Sequence, residues 1–254
     1  MYILERQWRV SSTPICFRLK LVEPDADPLA ALAVLSEPLR RRAYAHVASL
    51  RGEASRDGVA AALGVARSVA AFHLDKLVDA GLLEVRYRRP PGRGGPGAGR
   101  PAKWYRRAAG EITVSVPERH YDLAAELLAR AVERAGEGGG GIESVLADVA
   151  RVHGHDVASE LRVTTNEAPS GDTRRLLVER LIGLLARHGY EPRLAGGVVT
   201  MANCPFHALA EEHRDLVCRM NHDLLCGVVE EVGLPPGTAR LDPEPGRCCV
   251  TIVT

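Results

Sequence analysis

The chain has 254 residues, 46% hydrophobic and 26% charged, enough for two modest domains, and aromatics are so scarce (4%) that cores must be built from Leu, Val and Ala. No apolar stretch reaches membrane-spanning length and the start does not resemble a signal peptide, so a cytoplasmic protein with no membrane partner is expected. The net charge of +1 hides an asymmetry: residues 36–110 carry 15 Lys/Arg against 6 Asp/Glu, and residues 111–254 carry 14 against 22, so nucleic acid should meet the front half.

Residues 1–26 show some strand character without a clear pattern and read as an extension, with Cys16 an incidental thiol. Asp27 and Pro28 suit the N-cap and first turn of a short helix ending near Leu35. Ser36 then predicts a cap for a helix over 37–50, whose buried face is Leu39, Ala43, Val47 and Leu50. Arg40, Arg41 and Arg42 near its start suit either phosphate contact or a solvated face.

Residues 55–85 predict two short helices and the start of a strand. Ser55 is a good N-cap, Asp57 adds negative charge to the first turn, Gly64 supplies the turn, and Gly81 stops a second helix over 66–80. On that second helix Ala70, Leu74, Leu77 and Val78 share one face. Ser68, Val69, Phe72 and Lys76 share the opposite one, with His73 at its border and Arg67 at the helix start. A buried stripe opposite a mixed polar face fits a helix that enters a DNA major groove. Strands over 82–89 and 103–107 enclose a Gly/Pro-rich loop, and residues 86–107 hold eight Lys/Arg and no acid. Arg93, Arg100 and Lys103 are therefore the expected backbone or minor-groove contacts. The run AFHLDKLVDAGLLE followed by GRGGPGAGRPAKWYRR resembles the ArsR-type winged-helix regulators over about residues 28–110. The resemblance implies a winged-helix fold, a homodimer, double-stranded DNA as partner, and action as repressor or activator at a promoter.

Behind the wing, a short extended piece over 111–116 precedes an amphipathic helix over 117–135, suited to pairing subunits or to a domain core. GEGGGG at 136–141 breaks the chain, and a helix over 142–161 follows. His153 and His155 near its end read as structural, since helical positions two apart do not face each other. A helix over 172–189, strands over 190–194 and 198–201, one long helix over 206–232, and strands over 239–241 and 248–253 complete the pattern. The expected fold is α+β: an N-terminal winged helix-turn-helix over 27–110, then a helical connection and a small antiparallel α+β domain for dimerisation and sensing over 111–254.

Five of six cysteines lie in the last 51 residues: Cys204, Cys218, Cys226, Cys248 and Cys249. In a cytoplasmic protein that cluster suggests metal or redox chemistry more than structural disulfides. Cys204 sits at a predicted helix start that favours a thiolate, but Cys218 lies fourteen positions on, ~20 Å along one unbroken helix. One ion cannot span that distance unless the helix breaks near Ala210 or the segment around Cys204 turns back. Cys226 points toward the charged side as a bystander, and Cys248 and Cys249, as neighbours on a strand, should face opposite ways. The order Cys204, Cys218, Cys248 is similar to that of the iron–sulfur-sensing repressors of cluster-assembly operons, which share the winged-helix front end. That resemblance implies an iron–sulfur cluster on Cys204, Cys218 and Cys248, with Cys249, His207 and His222 open as the fourth ligand. The alternatives are a single ion such as zinc, a small-molecule ligand in a Leu-lined pocket, or cysteines that only pack. No P-loop, Rossmann fingerprint, GxSxG or HExxH marks an enzyme.

Overall fold

The computed structural model describes residues 28–88, 101–138, 140–161 and 171–254. The chain divides into two compact units, Met1–Val114 and Ser115–Thr254. The fold is α+β with antiparallel sheets.

The first unit opens with α1 (Pro28–Ala33) and a 3-10 turn over Val34–Ser36, then α2 (Pro38–Ser49). Glu37, not Ser36, caps α2: its carboxylate accepts from the Leu39 and Arg40 amides at 3.0 and 2.6 Å. The reason is Pro38, which takes the first helical position, where its missing N–H is of no consequence, and so moves the cap to the residue before it. Then come β1 (Ala54–Ser55), α3 (Arg56–Leu63), α4 (Arg67–Asp79), β2 (Leu83–Arg88) and β3 (Ala102–Arg107). Ser55 caps α3 by accepting from the Gly58 amide at 3.0 Å, and Gly64 ends it at φ 69° in the left-handed region. The hairpin β2–β3 pairs antiparallel in the register Val85↔Tyr105. The two-residue strand β1 has too little pattern to show in the sequence; it adds to the other side of β3, giving the sheet order β1-β3-β2. Ala43, Val47, Val59, Ala70, Leu74, Leu77, Leu83 and Tyr105 form the core, built mostly from aliphatic side chains.

The second unit comprises α5 (Tyr121–Gly136), α6 (Ile142–Ala158), α7 (Gly171–Arg187), β4 (Pro192–Ala195), β5 (Val198–Met201), α8 (His207–Glu212), α9 (Arg214–Val232), β6 (Ala239–Leu241) and β7 (Val250–Val253). Its sheet runs β4-β5-β7-β6, antiparallel throughout. The expected helix over 206–232 is two helices. His213, at φ −126° and ψ 49°, separates α8 from α9. Cys248 and Cys249 precede β7 instead of opening it, so the alternation of strand side chains does not apply to them. The largest part of the core lies along α9, which packs against α6 through two glycines. A Cβ on Gly154 would lie 2.0 Å from the Leu224 carbonyl oxygen, and one on Gly227 would lie 2.1 Å from that of Arg151. Only glycine permits backbones this close. No helix among the described residues is long and apolar enough to cross a membrane.

Candidate nucleic-acid interface and cysteine centre

Helix α4 presents the two faces expected of it. Ala70, Leu74 and Leu77 are buried, whereas Arg67, Ser68, Val69, Phe72 and Lys76 are exposed, Phe72 to 56%. An aromatic ring left in solvent on a helix with a fully packed opposite side is available to a partner. Arg67 pairs with Asp57 at 2.8 Å across the turn, with both side chains largely in solvent. His73 sits differently. Its side chain is only 12% exposed and its Nδ1 lies 3.3 Å from the Glu37 carboxylate, so it packs at the start of α2 and not on the exposed face.

Asp75, which no motif singles out, organises the back of α4. Its carboxylate accepts from Tyr105 Oη at 2.9 Å, from Lys103 Nζ at 2.9 Å and from Arg56 Nη2 at 3.1 Å, and Arg56 Nε donates to Tyr105 Oη at 2.8 Å. Desolvation opposes its ionisation, but hydrogen bonds from Lys103 and Tyr105 and the nearby cations outweigh that and hold the Asp75 carboxyl below its ordinary range. Burial pushes the Tyr105 phenol up to about 12, so it stays a donor. Lys103, expected at a phosphate, is thus engaged inside its own domain. The hairpin's other cations are partly engaged too: Arg86 and Arg88 reach Glu53 at 3.5 and 3.0 Å, and Arg106 pairs with Glu84. Arg93 and Arg100 lie outside the described residues.

In the second unit, Cys204, Cys218, Cys248 and Cys249 are all buried and come together. Cys204 and Cys249 each lie within hydrogen-bond reach of Cys248, and Cys218 within reach of Cys249, so the sulfurs form a row. The break at His213 makes this possible. With Cys204 in the turn ahead of α8 and Cys218 on α9, the ~20 Å separation along one continuous helix no longer holds. The helix start expected to favour a Cys204 thiolate is not at Cys204, since α8 begins at His207. Donation from Cys204 and Cys249 pulls the Cys248 thiol well down, and the same coupling together with burial pushes Cys204 and Cys249 up, so one sulfur of the row is set to ionise first.

Three polar anchors hold the row in place. Asn221 is fully buried on α9. Its Oδ1 accepts from Tyr190 Oη at 2.6 Å and its Nδ2 donates to Cys248 Sγ at 3.3 Å. The buried Asn203 donates to the Glu118 carbonyl at 3.0 Å and the Gly189 carbonyl at 2.5 Å, and accepts from Arg119, which fixes the turn that carries Cys204. The Cys248 amide donates to the Met201 carbonyl at 2.9 Å, which ties its segment to β5. A cavity of about 490 Å³ opens in front of the sulfurs, lined also by Arg119, His207, Arg214 and Arg247. Of the open fourth-ligand candidates, Cys249 belongs to the row. His207 is half-exposed and faces Glu211 at 3.3 Å, and His222 is not among the residues lining the cavity. Asn221 and Asn203 carry no sequence signal that sets them apart from surface amides, and only their burial reveals them.

Another cavity lies among His120, His153, His188, Phe206, Leu224 and Val228, but it measures about 30 Å³, room for one water and far below what a small-molecule effector needs. Residues 35–86 match a family model described as a helix-turn-helix domain. No curated protein matches the chain, and no solved structure does. The match spans the cap of α2, both helices of the turn and the start of the wing strand, and with that geometry it supports an ArsR-like helix-turn-helix protein, a DNA-binding transcriptional regulator.

Proposed function

We propose that this chain is a homodimeric transcriptional regulator that reads double-stranded DNA with α4 and whose operator affinity is set by an iron–sulfur cluster on Cys204, Cys218 and Cys248, with Cys249 beside them. The observation that carries the reading is the convergence of four buried cysteines from three segments far apart in sequence. Packing alone does not require a buried asparagine to donate to one of the sulfurs, whereas hydrogen bonds to ligating sulfurs tune a metal–thiolate centre.

A tetrahedral ion with about 2.3 Å to each sulfur requires sulfurs about 3.8 Å apart in every pairing. Among the described residues, no three cysteine sulfurs all lie within 4.8 Å of one another. The cavity of about 490 Å³ in front of the sulfurs leaves room for a multinuclear group. Bound there, a cluster supplies an electron-transferring, oxygen-sensitive centre. The chain's own residues orient Cys248 through Asn221 and bring together the loop ahead of α8, α9 and the segment before β7. On DNA, Arg67, Ser68, Phe72 and Lys76 are the reading face, with Arg93 and Arg100 as wing contacts.

The test is anaerobic purification with iron and sulfide analysis, followed by operator titration of the holo protein, the air-oxidised protein and Cys218→Ser at one salt concentration. The expected result is a coloured holo protein, a colourless folded variant, and an affinity of the variant that matches the oxidised form and differs from the holo form by about 1–3 kcal/mol. Equal affinities for all three would reduce the cysteines to core.

A further inference from the structure

The feature that the cysteine row leaves unused is a second set of donors on α9, at His222, Asp223 and Cys226. Their ligand atoms all lie within 4.8 Å of one another. His222 and Cys226 stand one turn apart on the same face of the helix, with Cys226 Sγ 3.6 Å from Nε2 and 3.8 Å from Nδ1 of the imidazole. Asp223 Oδ1 is 3.5 Å from His222 Nδ1. We propose that these three side chains form a mononuclear binding site for a divalent transition-metal ion of the zinc type, separate from the cysteine row.

Three observations carry the assignment. The first is spacing. Tetrahedral zinc, with about 2.0–2.2 Å to nitrogen or oxygen and about 2.3 Å to sulfur, sets N···O at about 3.4 Å, close to the 3.5 Å between His222 Nδ1 and Asp223 Oδ1, and N···S at about 3.6 Å, which Cys226 Sγ at 3.8 Å from Nδ1 meets by a rotation of its side chain toward Nδ1.

The second is the surrounding shell. His222 Nε2 lies 3.3 Å from the Ala239 carbonyl oxygen. A ring N–H donated to a backbone carbonyl leaves the Nδ1 lone pair, on the side of Asp223, as the ligand, which is how ligating histidines are usually held. The Asp223 carboxylate is steadied in turn by Arg151 of α6 at 3.5 Å, whose guanidinium is shared with Glu230 at 2.7 Å.

The third is composition and placement. One nitrogen, one oxygen and one sulfur donor form a borderline-soft set that suits zinc and its neighbours and not magnesium or calcium. With Cys226 ionised, the site carries two negative charges against the two positive charges of the ion. Cys226 is buried, whereas His222 and Asp223 keep 25% and 19% side-chain exposure, so one side stays open for a water as fourth ligand.

The site adjoins Gly227, where α6 and α9 touch. An ion there clamps the middle of α9 to the strand carrying Ala239 through His222, and to α6 through Asp223 and Arg151.

The probe is cobalt(II), added to the full-length chain after chelator dialysis. It is used in the Cys218→Ser background, where no cluster absorbs, with zinc and iron measured by elemental analysis in the wild-type chain. The expected result is one equivalent of cobalt with tetrahedral ligand-field bands and a thiolate charge-transfer band, displaced by zinc. His222→Ala and Cys226→Ser each weaken binding by at least about 10–100-fold and abolish the bands, and Asp223→Asn weakens it less. Should Cys226→Ser fail to fold, His222→Gln at the half-exposed edge carries the same test, with circular dichroism as the folding control. Unchanged cobalt spectra in the His222 and Cys226 variants overturn the proposal. So does an absence of cobalt binding in Cys218→Ser when the wild type binds it. Because the iron content of the wild type is read separately, a missing cluster leaves this result standing.

Discussion

At the scale of single residues, Asp75 and Asn221 each join several segments of their own unit, and nothing in the surrounding sequence marks either as the residue that does so. Asp75 gathers Arg56, Lys103 and Tyr105 from α3 and β3 onto α4. Asp75→Ala leaves a buried phenol and two cations without their acceptor. It should destabilise the first unit by about 1–3 kcal/mol, read by urea unfolding. The Asp75 pKa is lower in the folded than in the unfolded state, so its contribution is fully present above the unfolded value and is lost as pH falls through the folded one. The Ala variant should therefore lose Asp75's share of the acid limb of the wild-type pH–stability curve. Phe72→Ala is the converse case. The ring is 56% exposed, so the unfolding midpoint should stay put while the preference for operator over random duplex falls. A variant that keeps that preference would move the reading face elsewhere on α4.

Between elements, the closest approach is the crossing of α6 and α9. Gly154→Ala or Gly227→Ala drives a methyl group into a backbone carbonyl, which neither helix can avoid without shifting. Each should cost about 3 kcal/mol or more and lower the thermal midpoint accordingly. Gly183→Ala on α7 is the control. Its Cβ would meet only the Arg187 guanidinium at 3.6 Å, and the change should stabilise by up to about 1 kcal/mol through helix propensity. The break at His213 belongs to this scale too. It divides a run of apolar periodicity that is continuous in the sequence, and without it Cys204 and Cys218 would stand at opposite ends of one rod.

For the whole molecule, charge and protonation give the readable signals. His188 is partly buried beside His120, His153 and Arg187, and desolvation with its cationic neighbours lowers its pKa to about 4. The unfolded state therefore binds a proton that the folded state refuses between about pH 6.5 and 4. The His188 contribution should lower stability across that window as pH drops, by a few kcal/mol in order of magnitude, and level off below it. His188→Leu should flatten the window in a pH series of thermal midpoints, with the residual slope due to His153, which burial also lowers. The split between a front segment of net +9 and a back segment of net −8 should appear as a steep salt dependence of DNA binding that substitutions of exposed charges in the second unit leave unchanged.

What the sequence determined alone was local: the two helices around Gly64 with their caps, the buried and exposed stripes of α4, the hairpin that follows, and the order of helices and strands behind it. Each follows from short-range physics, since periodicity, caps and turn glycines act within a few residues. The tertiary structure alone decided which side chains meet. Cys248 and Cys249 share a site because their backbone is a loop before β7 and not a strand, and Cys204 joins them because His213 interrupts a helix. Lys103 turns to Asp75 and His73 to Glu37. These outcomes depend on burial and on partners 28 to 84 residues away. No pattern within one stretch of chain encodes such pairings, because a buried polar group takes whichever partner the packed fold brings to it.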